Sequence, residues 1–246
     1  MTNEMTTRTR TIELSPAIYA RIAGIAFLIM TIAAIFAYFF VLSNFIVPDD
    51  ATKTADNIMD SELLFRLAIA SWVIVLTMDV VVAWALYVIL KPVNKSLALL
   101  AAWFRLMMTA MNGAILVFLF IALLLLSGDD YLTIFDSEEL HALALLFLNA
   151  FRYGFAIGYV FLGVHLLILG YLVYQSGYLP RIVGVLLIVA AFGYLLGSFG
   201  TFLLPPDQAE IIDLVVTVPN AIGEISLFLW LLVKGGKIEY PTEMTS

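Results

Sequence analysis

The sequence predicts an all-α polytopic membrane bundle, with about six spanning helices and one extra half-helix at the outer or interfacial level. Three observations carry this. Only 13% of the residues are charged and 63% are hydrophobic, whereas ordinary soluble domains carry roughly 25% charged residues. Six apolar stretches are long enough to cross a ~30 Å hydrocarbon core, which takes about 20 residues. The loops between them alternate in charge.

The spans are expected at Ile18–Val47, Leu63–Leu90, Leu97–Ser127, Tyr153–Tyr174, Ile182–Leu204 and Leu214–Val233. The first begins after Ser15-Pro16, where a proline in the first turn sacrifices no hydrogen bond. Its apolar run is too long for a cleaved signal peptide, and no small-x-small site ends it. "KPVNKS" makes a tight turn before the third span, with Ser96 as a candidate N-cap. The segment "DSEELHALALLFLNAFRYG" opens like a helix, with Ser137 as N-cap and Glu138 and Glu139 in the first turn. It is too short to span alone, so it reads either as an extension of the fourth span or as a separate outer helix. A seventh span here would strand Lys234 and Lys237 on the outside. "QSGYLPR" turns the chain between the fourth and fifth spans, Gly177 suiting a C-cap. "LLPPD" stops the fifth. Gly158, Gly163 and Gly170 in the fourth span and Gly184, Gly193, Gly197 and Gly200 in the fifth, with a GxxxG in "GYLLG", predict close contact between those two helices. Pro219 is expected to free a backbone carbonyl in the sixth.

Charge fixes the expected orientation. Arg8, Arg10, Arg21, Lys91, Lys95, Arg181, Lys234 and Lys237 all lie on one side. The other side carries "PDDATKTADNIMDSE", "GDDYLTIFDSEE" and "PPDQAEIID", whose one basic residue is Lys53. The positive-inside rule then places both termini in the cytoplasm, which an even number of spans permits. The net charge of −7 belongs mostly to the outer loops. The expected organisation is a tail over residues 1–16, a single transmembrane domain over 17–236 and a second tail over 237–246.

Asp79 interrupts the run "LTMDVVVAW" about 16 Å from the end of its span at Leu90. Arg105 lies about 12 Å into the next span, and His165 and Glu224 each about 14 Å from the same side in theirs. Four ionisable residues on four helices thus share one depth. A charge facing lipid there costs about 2.5–3.5 kcal/mol or more, so all four are expected to turn inward. Asp79 should pair with Arg105 across the second and third spans, Glu224 should be the second carboxylate on the arginine fork, and Asn112 should extend the network two turns along. Such a cluster suits a ligand or proton site. It equally suits helix glue, and a lone histidine in "LGVHLLIL" is ordinarily a satisfied core residue. Near the outer face, Arg66 and Arg152 lie close to Asp129, Asp130, Glu138 and His141. Snorkelling at helix ends accounts for these as well as a mouth or lid does.

The chain contains no cysteine, which excludes disulfides, thiolate metal sites and a cysteine nucleophile. No GxSxG, P-loop, HExxH or dinucleotide fingerprint appears. Arg105 in the layer of Asp79, His165 and Glu224 would repel a metal ion. No cofactor, metal or nucleic-acid partner is therefore expected; the partners are the bilayer and a small-molecule or lipid-like ligand.

From Arg21 to Lys237 the chain resembles an uncharacterised bacterial multi-helix membrane family, that of domain of unknown function 4386. "ARIAGIAFLI", "DVVVAWALYVILKPVNKSLALLAAWFRL", "HLLILGYLVYQSGYLPRIVGVLLI" and "GEISLFLWLLVKG" carry the resemblance. It implies a multi-helix inner-membrane protein and brings no activity or site residues with it. An acidic residue near Leu196 would fit the family pattern; this chain has "LLGSFG" there. Three readings stay open: a ligand-binding or transporting protein in which Arg105 anchors the ligand and His165 relays a proton, a membrane enzyme with a carboxylate and His165 as its acid–base pair, and a structural protein.

Overall fold

The computed structural model describes residues 15–235. Both tails expected from the sequence, with Arg8, Arg10 and Lys237, lie outside the described residues. Six helices are long and apolar enough to cross a membrane: α1 (Pro16–Phe45), α3 (Glu62–Leu90), α4 (Lys95–Leu125), α5 (Ser137–Gln175), α6 (Arg181–Leu203) and α7 (Pro206–Lys234). A short helix, α2 (Ala51–Asp60), follows the first span. No strand occurs among the described residues. The end carrying Lys91, Lys95, Arg181 and Lys234 is called here the basic end, and the opposite one the acidic end.

The spans pack in chain order as a ring, α1 against α3, then α4, α5, α6 and α7, and α7 closes onto α1. Short turns enforce this by making neighbours antiparallel. The N-cap of α4 is Asn94 rather than Ser96; its side chain accepts from Leu97 N at 3.0 Å. At the α5–α6 turn Gly177 takes φ +74°, a conformation that disfavours side chains. Pro219 lies within α7, which runs through it as one helix.

Two features of the acidic end bear on the sequence reading. Residues 137–152 extend the fourth span, one of the two readings open there, and are not a separate outer helix: they open α5, a single helix of 39 residues. At 1.5 Å per residue it is about 58 Å long and overshoots the bilayer core. Its cap is Asp136, in a capping box with Glu139. The extra helix is α2, in a stretch whose polar composition reads as loop. Thr54, Ala55 and Ile58 make one buried stripe on it, and α2 packs against the overshooting part of α5. Asp50 caps it through Lys53 N, and Asn57 ties it to Phe45 O at 3.1 Å.

The core divides along the membrane normal. In the basic half all six spans contribute, from Ala20 and Phe27 on α1 to Leu227 and Leu231 on α7. In the acidic half the buried core is Val41, Ile58, Phe65, Trp72, Leu119, Phe151, Phe155 and their neighbours, drawn from α1 to α5 only. The glycines explain part of this. A Cβ on Gly170 would lie 2.7 Å from Gly184 O, so α5 and α6 touch backbone to backbone near the basic end. Gly193, Gly197 and Gly200 face α7 instead, against Asn220, Asp213 and Ile212. The GxxxG of "GYLLG" therefore serves the α6–α7 contact rather than the α5–α6 contact expected.

Over Phe36–Leu42 the first span is a π-helix, which widens it by one residue per turn. Ser43 and Asn44 return hydrogen bonds to Phe39 O and Phe40 O, satisfying the carbonyls at its end. This segment packs on α3. The α1–α7 contact is made lower down, where Gly24 meets the Leu232 backbone and Phe27 meets Phe228. The two helices thus close the ring in the basic half and part toward the acidic end, leaving a wedge between them.

Candidate functional site

Asp79 on α3, Arg105 and Thr109 on α4 and His165 on α5 form one buried quartet, with exposures of 3%, 4%, 7% and 1%. Arg105 and Thr109 are one turn apart and share a helix face. Asp79 takes one donor on each oxygen: Arg105 Nη2 donates to Oδ1, forming a salt bridge, and the Thr109 hydroxyl donates to Oδ2. Arg105 O stands 2.9 Å from the same hydroxyl as an alternative acceptor. The second guanidinium nitrogen, Nη1, lies 3.3 Å from His165 Nε2. Arginine can only donate, so Nε2 presents its lone pair. His165 Nδ1 then carries the proton and donates to Ala101 O at 2.8 Å. Phe27 from α1 covers the guanidinium at 5.2 Å. The cleft on the other side of His165, lined by Ala83, Leu86, Ala98 and Leu169, has no room for a water molecule. Four helices are locked here around one neutralised charge pair.

Glu224 does not join this lock. It lies half-buried on α7. Its polar neighbour on α6 is the Tyr194 side chain, while Arg105 and Asp79 act on it through space. Among the described residues the ion pairs are Arg105–Asp79 and Arg66–Glu62, so the expected second carboxylate on Arg105 is replaced by His165. Tyr159 on α5 completes a half-buried group, its ring 5.2 Å from that of Tyr194, with Glu224, Tyr38 and Asp213 around it. The group stands where the two halves of the core meet and where α1 and α7 part. Sequence reasoning missed Thr109, Tyr159 and Tyr194. The available signals were the i, i+4 spacing of Thr109 from Arg105 and two tyrosines far from any interface.

Asn112 is buried, but it turns to α5 rather than to Arg105. Its amide oxygen occupies the place of a side chain at Gly158 and has no hydrogen-bond partner. Asn220 does the same at Gly193. With its amide oriented to donate, it bonds Ala190 O at 3.0 Å and Val216 O at 3.2 Å. The outer residues are not gathered. Arg66 pairs with Glu62 one turn before it, at 2.6 Å and exposed. Arg152 lies over Tyr153 and within electrostatic reach of Asp213. Asp129 accepts from the Ser127 hydroxyl, Glu139 caps α5, and His141 Nδ1 is unpartnered. Where "LLGSFG" lacks an acid, Asp213 from α7 fills the space beside Gly197. No three histidine, aspartate or glutamate residues converge as a metal site requires, among the described residues.

A family model, "Domain of unknown function (DUF4386)", matches residues 22–235, which takes in nearly all of the six spans. The chain belongs to the DUF4386 family. It is also similar to an uncharacterized protein of Archaeoglobus fulgidus, 29% identical over 167 residues, 67% of this chain and 82% of that protein. No solved structure matches it. The quartet, Glu224 and both tyrosines all fall within the DUF4386 match.

Proposed function

We propose that this DUF4386 protein binds a small-molecule or lipid-like ligand at a polar site half-way across the membrane. The ligand enters through the wedge between α1 and α7, and both termini are cytoplasmic. The observation that carries this is Glu224. A carboxyl at mid-span costs several kcal/mol unless compensated, yet this one is only half-buried beside the wedge, with no ion pair among the described residues and Tyr194 as its polar neighbour. Binding of a ligand, with or without transport, gives that cost a purpose. Arg105 is not the anchor in this reading, because Asp79, His165 and Phe27 already occupy it. His165 is likewise committed on both nitrogens. That weakens both the proton-relay role and the alternative of an enzyme built on a carboxylate and His165.

A structural reading has its own support: the quartet is buried, and the cleft beside His165 has no room for a water molecule. The two readings divide between the two regions, the quartet serving as glue and the wedge as site. Native mass spectrometry of the protein released from mild detergent tests this. A non-protein adduct is expected on the wild type and should be lost in Glu224→Gln. A wild-type spectrum bare of adduct would leave the structural reading standing alone. The orientation has a separate check: a periplasm-active reporter fused after Lys237 in a bacterial host is expected to be silent. An active fusion would reverse the topology.

A further inference from the structure

Resting on the reading of the wedge as a ligand site, we infer that its ligand is a lipophilic cation, an amine or onium centre carried on an apolar body. The charge balance comes first. Among the described residues Arg105 is the one cation in the mid-membrane layer, and Asp79 neutralises it within a buried group that Phe27 covers on one side. What faces the wedge is the remaining charge, the Glu224 carboxyl. An anionic ligand would meet that carboxyl with no free arginine nitrogen on the open side except Nε, since both terminal nitrogens are taken. A cation would meet a carboxylate in a partly desolvated setting, where opposite charges interact most strongly.

The aromatic groups point the same way. Tyr159 and Tyr194, with rings tilted at 52° and 5.2 Å apart, flank the carboxyl, and Tyr38 lies near on the more open α1 wall, 52% exposed. Aromatic faces attract cations, by about 2 kcal/mol or more when water is excluded. The site lies at mid-membrane, so a cation that reaches it sideways must carry an apolar body. One turn beyond Tyr194 on the same face of α6, the Ser198 hydroxyl is 3% exposed and has no hydrogen-bond partner. It is a buried polar group that a ligand's own donor or acceptor would satisfy. The approach is acidic as well, since Asp213 stands at the outer side of Tyr159.

The test uses two probes of one shape and opposite charge, radiolabelled tetraphenylphosphonium and tetraphenylborate, on the purified full chain in nanodiscs. Saturable binding of the phosphonium is expected, at least tenfold tighter than that of the borate. Glu224→Gln should weaken phosphonium binding tenfold or more. Tyr194→Leu should weaken it several-fold, and Tyr194→Phe much less, because the ring remains. Saturable binding of the borate in preference to the phosphonium would overturn the charge class and leave the wedge as a site. Saturable binding of neither would overturn the site along with the inference. The comparison on the wild type needs no variant, so a substitution that fails to fold does not remove the test. Undiminished phosphonium binding in a folded Glu224→Gln protein would place the cation elsewhere.

Discussion

Two polar groups lie at one depth in this bundle and are built on different terms. In the Asp79–Arg105–Thr109–His165 quartet, Arg105 Nε is the one donor left without a partner, and each side chain is at least nine-tenths buried. In the Tyr159–Tyr194–Glu224 group every member is half-buried, and the carboxyl has a neutral tyrosine beside it and no ion pair among the described residues. The contrast teaches that depth in the membrane does not by itself define a role. What separates them is which helices surround each. The quartet belongs to α3, α4 and α5, with Phe27 of α1 against it, and all four contribute to both halves of the core. The open group takes Tyr159 from α5, but its Tyr194 and Glu224 hang on α6 and α7, which belong to the core cluster of the basic half and not to that of the acidic half.

Breaking the quartet should have the largest effect. Asp79→Leu leaves Arg105 charged and buried without its partner, a change that costs about 3–5 kcal/mol. The thermal midpoint in detergent should fall accordingly. The double change Asp79→Leu with Arg105→Leu removes both charges and should recover most of that loss, because apolar replacement of buried pairs is often neutral or stabilising. A double variant as unstable as the single one would show that the quartet does more than balance its own charges.

Thr109→Val comes next. It keeps the shape and removes the hydroxyl, stranding Asp79 Oδ2. A hydrogen bond to a charged group is worth about 1.5–3 kcal/mol, and thermal unfolding should show a loss in that range. A neutral result would break the claim that Asp79 depends on Thr109 for its second oxygen. Of slightly smaller expected size is Gly170→Ala, where the new Cβ would meet Gly184 O at 2.7 Å. Overpacking of this kind costs about 1–3 kcal/mol. It probes the α5–α6 contact on which the open group is mounted, so phosphonium binding should weaken along with stability.

The number of spans and the common depth of the buried charges were legible because both follow from counting residues along a helix at 1.5 Å each. The direction of each side chain around its helix was not. A membrane helix is apolar on all sides, so hydropathy gives no azimuth. Depth alone points Glu224 toward Arg105, and helical spacing alone points Asn112 along the face of Arg105. Asn112 turns to Gly158 and Glu224 to Tyr194. Thr109 was passed over because threonine in such a helix ordinarily bonds its own chain one turn back, which this one also can do. The helix α2 hid behind loop composition: Thr54, Ala55 and Ile58 make a buried stripe too narrow to stand out among ten mostly polar residues. The continuity of α5 was hidden by Asn149 and Arg152, polar positions that fall within one unbroken helix.

The smallest expected change in stability is the one that decides most between the two regions. Glu224→Gln keeps the size and the capacity to bond Tyr194 and removes only the charge. Half-buried, with no ion pair to lose among the described residues, it should lose no more than about 0.5 kcal/mol, and relief of a mid-membrane charge acts in the stabilising direction. If Glu224 were a second carboxylate holding Arg105, the loss should instead approach that of Asp79→Leu. Measuring the two thermal midpoints side by side therefore asks whether the bundle depends on Glu224 for its fold. A large fall for Glu224→Gln would merge the two regions into a single charge network and end the distinction between lock and site. A small fall leaves a carboxyl in the middle of the membrane that folding does not need, and the binding assay then reads a loss of affinity free of any loss of structure.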